Sequence, residues 1–334
     1  MSTFSIILPV RNGGEYVKHC VNSILSQSLP DFNLHILDNC SDDGTLEWIT
    51  SLNDPRIIVY PSQKLLPIEE NWGRIVAISK NKFMTLIGHD DLLEPDYLQM
   101  INELINKFPD ASLYQTHFKY IDDKGKIIRN CKPMNEVQSA SEFLSSFLTN
   151  SIDSMGTGYM MRSLDYDASG GIPKYPNLLF ADFELWIMLA QKKFKATSSQ
   201  IGYSFRLHQS MTKNSPDIKF HKAFGQFINY LENLKNSDKK MADVIERHSV
   251  EFIKSYCKGL SHRLLRTNIK RREGLTVGSF LKECKSYADR LAPGNDFEPT
   301  NEYSVKLARQ IDSNFLTRSV FLFFKKIYPK PIYS

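Results

Sequence analysis

Four apolar runs of strand length, at residues 4–10, 33–37, 56–60 and 83–87, alternate with segments whose apolar residues recur at helical spacing. Behind the first run, Val17, Cys20, Val21, Ile24 and Leu25 share one helical face. Residues 46–52 and 69–79 continue the alternation, the latter with Trp72, Ile75 and Val76 on one face. Right-handed crossovers between such closely spaced elements predict an α/β fold: a Rossmann-like, mainly parallel sheet with helices on both faces. Ligands of these sheets sit outside the carboxyl ends of the strands.

Polar clusters fall at those ends. Arg11-Asn12-Gly13-Gly14 closes the first run, Asp38-Asn39 the second, and His89-Asp90-Asp91 follows the fourth behind Gly88, with a helix restarting after Pro95. Two adjacent ionised carboxylates repel, and a divalent cation with oxygen ligands keeps both charged; a solvated acidic turn is the alternative. Asp122-Asp123-Lys124-Gly125 reads as a hairpin turn, and Ser139 with Glu142 as a helix capping box. Further along, Gly156-Thr157-Gly158 precedes a short apolar run. Asp182 opens a helix carrying Leu185, Trp186 and Leu189, and is either a functional carboxylate or a cap. A strand at residues 202–207 delivers His208, with Ser210 and Lys213 in the loop beyond.

From residue 214 the texture becomes helical, at 220–234, 241–265, 277–291 and 301–327, so the expected division is 1–215 and 216–334. The second part carries Arg263, Arg266, Lys270, Arg271 and Arg272, and a last helix with Leu316, Val320, Phe323, Phe324 and Ile327 on one side. A formal net charge of +5 over 334 residues, without basic runs interleaved with aromatics, argues against a nucleic-acid partner. Five scattered cysteines and no signal-like or membrane-spanning run fit a reducing cytoplasm, with peripheral membrane contact at most.

Taken together, the chain resembles glycosyltransferase family 2, inverting enzymes of GT-A fold, and among them those that build bacterial O-antigen, capsule or other surface polysaccharide. The first motif is Ser5-Ile-Ile-Leu-Pro-Val-Arg-Asn12 with Ser23-Ile-Leu-Ser-Gln27 and Asp38-Asn-Cys-Ser-Asp-Asp-Gly-Thr45. Asn71-Trp72 and Arg74 leading into Gly88-His-Asp-Asp91 follow the second, Ala181-Asp-Phe-Glu-Leu-Trp186 the third, and Arg206-Leu-His208 a later loop. The resemblance implies a nucleotide-sugar donor, UDP-linked, held by Pro9, Arg11, Asp38, Asn39, Arg74 and Asp90. It further implies Mn²⁺ or Mg²⁺ at Asp91 and His208, and Asp182 as general base. A saccharide or undecaprenyl-linked acceptor, a site on the inner face of the cytoplasmic membrane and a homodimer belong to the same expectation. Two departures stand out: Asn39 where an acid is common, and His89 at the first place of Asp-x-Asp. Two other readings are a metal-dependent nucleotidyltransferase and a non-catalytic saccharide-binding protein on the same fold.

Overall fold

Strand β1 (Phe4–Val10) is buried along its whole length, which is why its sequence is apolar on both faces. It pairs in parallel with β2 (Phe32–Asp38) and β4 (Phe83–Leu86), and β2 pairs in parallel with β3 (Ile57–Val59). Helices α1 (Gly14–Leu25) and α2 (Thr45–Ser51) make the crossovers, α1 burying Val17, Cys20, Val21 and Ile24. The structure is a computed structural model and describes residues 2–207 and 218–327.

The expected helix at 69–79 is instead α3 (Ile68–Gly73) followed by a 3₁₀ turn at Arg74–Ala77. Tightening the last turn moves the buried positions to Asn71 and Ile75, leaving Val76 exposed. Beyond β4 comes a two-residue strand, β5 (Leu92–Leu93), then α4 (Tyr97–Lys107). The hairpin expected at Asp122 joins β6 (Leu113–Ile121) to β7 (Ile127–Asn130). After β8 (Val137–Gln138), α5 (Ala140–Leu148) opens with the expected capping box: Ser139 N–H donates to Glu142 Oε2 at 2.8 Å and Glu142 N–H to Ser139 Oγ at 3.3 Å.

Strand β9 (Tyr159–Arg162) is inserted antiparallel between β4 and β6, so the sheet is mixed, in the order β3-β2-β1-β4-β9-β6-β10-β5. Helices α6 (Ser163–Ala168) and α7 (Ala181–Lys192) precede β10 (Lys195–Arg206), which runs parallel to β6. This last strand begins earlier than its sequence suggests, because the polar stretch Thr197-Ser198-Ser199-Gln200 carries a bulge between Ser198 and Ile201.

By packing, residues 1–143 and 151–208 form one compact unit, and residues 144–150 with 209–334 a second. The second unit consists of α8 (Lys219–Ser237), α9 (Lys239–Arg266), α10 (Val277–Leu291), α11 (Tyr303–Ser313) and α12 (Phe315–Ile327). A single final helix was expected over 301–327. Asn314 divides it: its backbone is extended (φ −130°, ψ 127°) and its Oδ1 accepts from Leu316 N–H at 2.8 Å, capping a new helix.

Candidate active site

Parallel pairing puts the ends of β1, β2 and β4 at one edge, with Val10 in register with Asp38 and Asn39 N–H donating to Val10 O at 2.9 Å. The loops leaving β1 and β2 are tied together. Asn12, at φ 51°, donates through Nδ2 to Asp42 Oδ1 at 2.7 Å and accepts from Asp42 N–H at 2.9 Å. Gly13 N–H donates to Thr45 Oγ1 and Gly14 N–H to Asp43 Oδ2, both at 3.0 Å. A Cβ on Gly13 would lie 2.5 Å from that of Val17, so only glycine lets this loop close on α1.

Asp38 is 1% exposed; its Oδ2 accepts from Ser41 N–H at 3.2 Å, while the buried Oδ1 has no hydrogen-bond partner. A buried acceptor in this position asks for a donor. Around it, Asn39 uses both amide atoms on the backbone of Leu66, and Arg74 bridges Asp38 O, Tyr60 O and Asn71 Oδ1. Both side chains thus brace the backbone around Asp38. Pro9 is buried in β1, and Arg11 is exposed at its end.

Asp91 is 3% exposed and heavily engaged. Its Oδ1 accepts from Arg206 N–H at 2.9 Å and its Oδ2 from the Tyr203 hydroxyl at 2.8 Å, with the Thr157 hydroxyl 3.3 Å from the same oxygen. Burial, then the neighbouring Asp90, push its carboxyl up to about 7. Asp90 is half-buried, and a Cβ on Gly88 would stand 2.7 Å from its Oδ1, so Gly88 makes the room this carboxylate occupies. Arg206 clamps the turn from behind, donating Nε to Asp90 O at 2.7 Å and Nη1 to Asp122 O at 2.9 Å, with its guanidinium 4.9 Å from the Tyr16 ring centre.

Asp182 is the second residue of α7, entered through Phe180 at φ 68°; Phe180, rather than Asp182, takes the N-cap position. Its Oδ2 lies 3.2 Å from where a Cβ on Gly156 would be, and its charge helps hold the buried Tyr159 hydroxyl protonated, after burial itself. The loop beneath is fixed by Trp186 Nε1–H donating to Met155 O at 3.1 Å. So Gly156 touches Asp182 and its neighbour Thr157 touches Asp91. Glu184 is drawn aside, accepting from the Tyr175 hydroxyl, and burial raises its carboxyl despite that bond. Asn177, Leu178 and Phe180 all have left-handed backbone, a concentration of strain beside Asp182 that no sequence signal announces.

His208, Ser210 and Lys213 lie outside the described residues. Among the described residues, no three His, Cys, Asp or Glu side chains gather as a metal-holding group. Tyr203, Thr157 and Arg206 escaped attention as contacts of the acidic turn, since the strand and loop that bring them lie 66 to 116 residues away in sequence.

The sequence profile of Glycosyl transferase family 2 matches residues 5–167, which hold Asp38 and the Asp90–Asp91 turn. The amino-terminal part of the chain is similar to this family. Chondroitin synthase of Pasteurella multocida is 30% identical over 129 residues, 38% of this chain and 13% of that relative's own length. The chain therefore spans a small part of that protein. The Putative teichuronic acid biosynthesis glycosyltransferase TuaG of Bacillus subtilis is 28% identical over 204 residues, 58% of this chain and 73% of its own. Among solved structures, S. aureus TarS in complex with UDP-GlcNAc is similar with a TM-score of 0.62 over 92% of each chain, at 13% identity. That likeness concerns the fold, which is the GT-A arrangement with an added helical region.

Proposed function

We propose that this protein is an inverting glycosyltransferase that moves a sugar from a UDP-sugar to a saccharide or undecaprenyl-linked saccharide, in the synthesis of a bacterial surface polysaccharide. The observation that carries the reading is the Gly156-Thr157 loop, which has Asp182 against one residue and the Asp91 side chain against the next. Carboxylates from two remote elements thus converge near the strand edge that holds Asp38.

In this reading Asp38, at the carboxyl end of β2, meets a donor group of the nucleoside, with Asn39 and Arg74 holding the backbone around it. The donor set fits a divalent cation, since such ions at nucleotide sites take one or two carboxylates and complete their shell with phosphate oxygens and water. Asp91, with Asp90 beside it, would hold the ion, the Asp91 side chain being fixed by three protein donors. Mn²⁺ or Mg²⁺, if held there, would supply neutralising charge for a diphosphate leaving group. Asp182 removes the proton of the acceptor hydroxyl; that oxygen attacks the anomeric carbon, and the bond to the diphosphate breaks, its electron pair leaving with UDP.

The test is UDP release from a panel of UDP-sugars with and without acceptor and Mn²⁺. Acceptor-dependent UDP is expected, and release of pyrophosphate in its place would favour a nucleotidyltransferase. Absence of any nucleotide binding would return the chain to a scaffold or saccharide-binding role.

The reading extends to a cytoplasmic enzyme lying on the inner face of the membrane. No helix among the described residues is long and apolar enough to cross one. Helix α12 exposes Phe315, Leu316, Val320, Phe323, Phe324 and Ile327, between 52% and 75% each. A groove in the second unit lined by Lys258, His262, Arg266, Phe321 and Lys325 offers basic charge beside it. Co-sedimentation with anionic vesicles at low salt is expected to fall on Phe323→Ser with Phe324→Ser. Unchanged sedimentation, or a concentration-dependent dimer lost in that variant, would assign the face to a second copy instead.

A further inference from the structure

Basic residues of the second unit fall into two kinds. Arg272, expected on the surface, is 4% exposed and donates Nη1 to Asp312 Oδ1 at 2.7 Å. Arg266 and Lys325 instead line an open groove of about 510 Å³, together with Lys258, Gly259, His262 and Phe321. Gly259, His262 and Arg266 stand at i, i+3 and i+7 on α9, and Phe321 and Lys325 at i and i+4 on α12, so each wall is one stripe of a helix. No acid is among the described lining residues. Lys258 is paired with Glu302 at 3.0 Å. Among the described residues, the Arg266 guanidinium and the Lys325 ammonium have neither an ion pair nor a hydrogen bond.

A second observation concerns the glycine on the α9 wall. Gly259 lies inside a helix of 28 residues, where glycine is less favourable than alanine. A Cβ there would meet nothing within 4 Å, so no neighbour demands the smallest residue. Gly225 on α8 differs, since a Cβ there would stand 2.8 Å from the Tyr287 hydroxyl. At Gly259 the missing side chain instead widens the groove, beside two cations that repel one another until an anion lies between them.

We propose, resting on the membrane reading of α12, that this groove binds the terminal phosphate of a membrane lipid, a phosphomonoester or diphosphate head group, held between Arg266 and Lys325. The arginine supplies a planar fork of N–H groups and the lysine a point charge. Near pH 7 a phosphomonoester carries roughly 1.5 to 2 negative charges, which matches two uncompensated cations; the single charge of a phosphodiester matches one. A lipid is the carrier because the α12 wall continues into Val320, Phe323, Phe324 and Ile327, between 52% and 68% exposed. Phosphate in the groove would set these side chains against acyl chains.

The test sediments the full chain with phosphatidylcholine vesicles that carry either phosphatidic acid or phosphatidylglycerol at matched surface potential. Binding to phosphatidic acid should be about tenfold tighter, the ratio expected for one added charge-assisted hydrogen bond. Gly259→Trp fills the groove without removing a charge and should erase this preference, while Gly259→Ala should keep it. Retained binding to phosphatidylglycerol is the control for folding. Arg266→Gln and Lys325→Gln should each reduce the preference, and they decide if Gly259→Trp does not fold. Equal binding to the two vesicle types, or a preference untouched by these substitutions, overturns the proposal and leaves the membrane reading standing. Binding to neither vesicle overturns both.

Discussion

At the scale of single residues, Asp182 and Glu184 sit two positions apart on α7 and face different partners. Asp182 lies against Gly156, while Glu184 accepts from Tyr175. Asp182→Asn keeps the side-chain shape and, if this carboxylate is the base, should lower acceptor-dependent UDP release by a factor on the order of 10²–10⁴ with UDP binding intact. Glu184→Gln should retain turnover within a few-fold; full turnover in the first variant would remove Asp182 from the reaction. Asp38→Ala addresses the other end of the site. Losing a charged acceptor should weaken UDP binding by about 1.5–3 kcal/mol, read by calorimetry. Binding unchanged by that substitution would place the nucleoside elsewhere. These two acids were legible in the sequence because each closes or opens an element whose period is clear. The contacts that hold Asp91 were not, since Thr157, Tyr203 and Arg206 meet it through pairing between distant strands.

Among the elements, β10 carries an unusual passenger. Lys195 is wholly buried, hydrogen-bonded through Nζ to Thr197 Oγ1 at 2.7 Å and Gln138 Oε1 at 3.2 Å, with the Phe143 ring 5.0 Å away. Burial pushes its ammonium down to about 7. In the unfolded chain it titrates near 10.4, so between these values the unfolded state holds the extra proton and stability rises with pH. Below about 7 both states are charged and this contribution to the slope vanishes. Lys195→Met should flatten the rise in denaturation midpoint between pH 7 and 10, a change on the order of a few kcal/mol across the window. An unaltered slope would show that Lys195 keeps its proton when folded. The first half of β10 was hidden by its serines, and α3 by its slide into 3₁₀ geometry. The break at Asn314, in contrast, has a plain physical cause, a side chain that outcompetes helix continuation by capping the next turn.

For the whole molecule, the division expected at residue 215 meets a complication. Residues 144–150, the end of α5, pack with the helical unit, where the Phe147 ring lies 6.0 Å from Phe227 and 5.6 Å from Phe252. A chain cut after residue 215 should bind UDP but expose Phe147 and aggregate. Phe147→Ser in that truncated chain should restore solubility, and equal solubility of both forms by light scattering would contradict the packing. Fold class was readable because alternation of periods is a property of the sheet's parallel part; β9, lying antiparallel inside it, depends on a chain return that no local pattern encodes. The ties between the loops after β1 and β2 carry one more consequence. Amides at Asn12, Gly13, Gly14 and Asp42 are bonded before any ligand arrives, so they should exchange slowly with solvent deuterium although they lie in loops. A nucleotide meeting this edge finds little left to order, and its association should show a small entropic penalty and a rate close to that of diffusion into an open cleft.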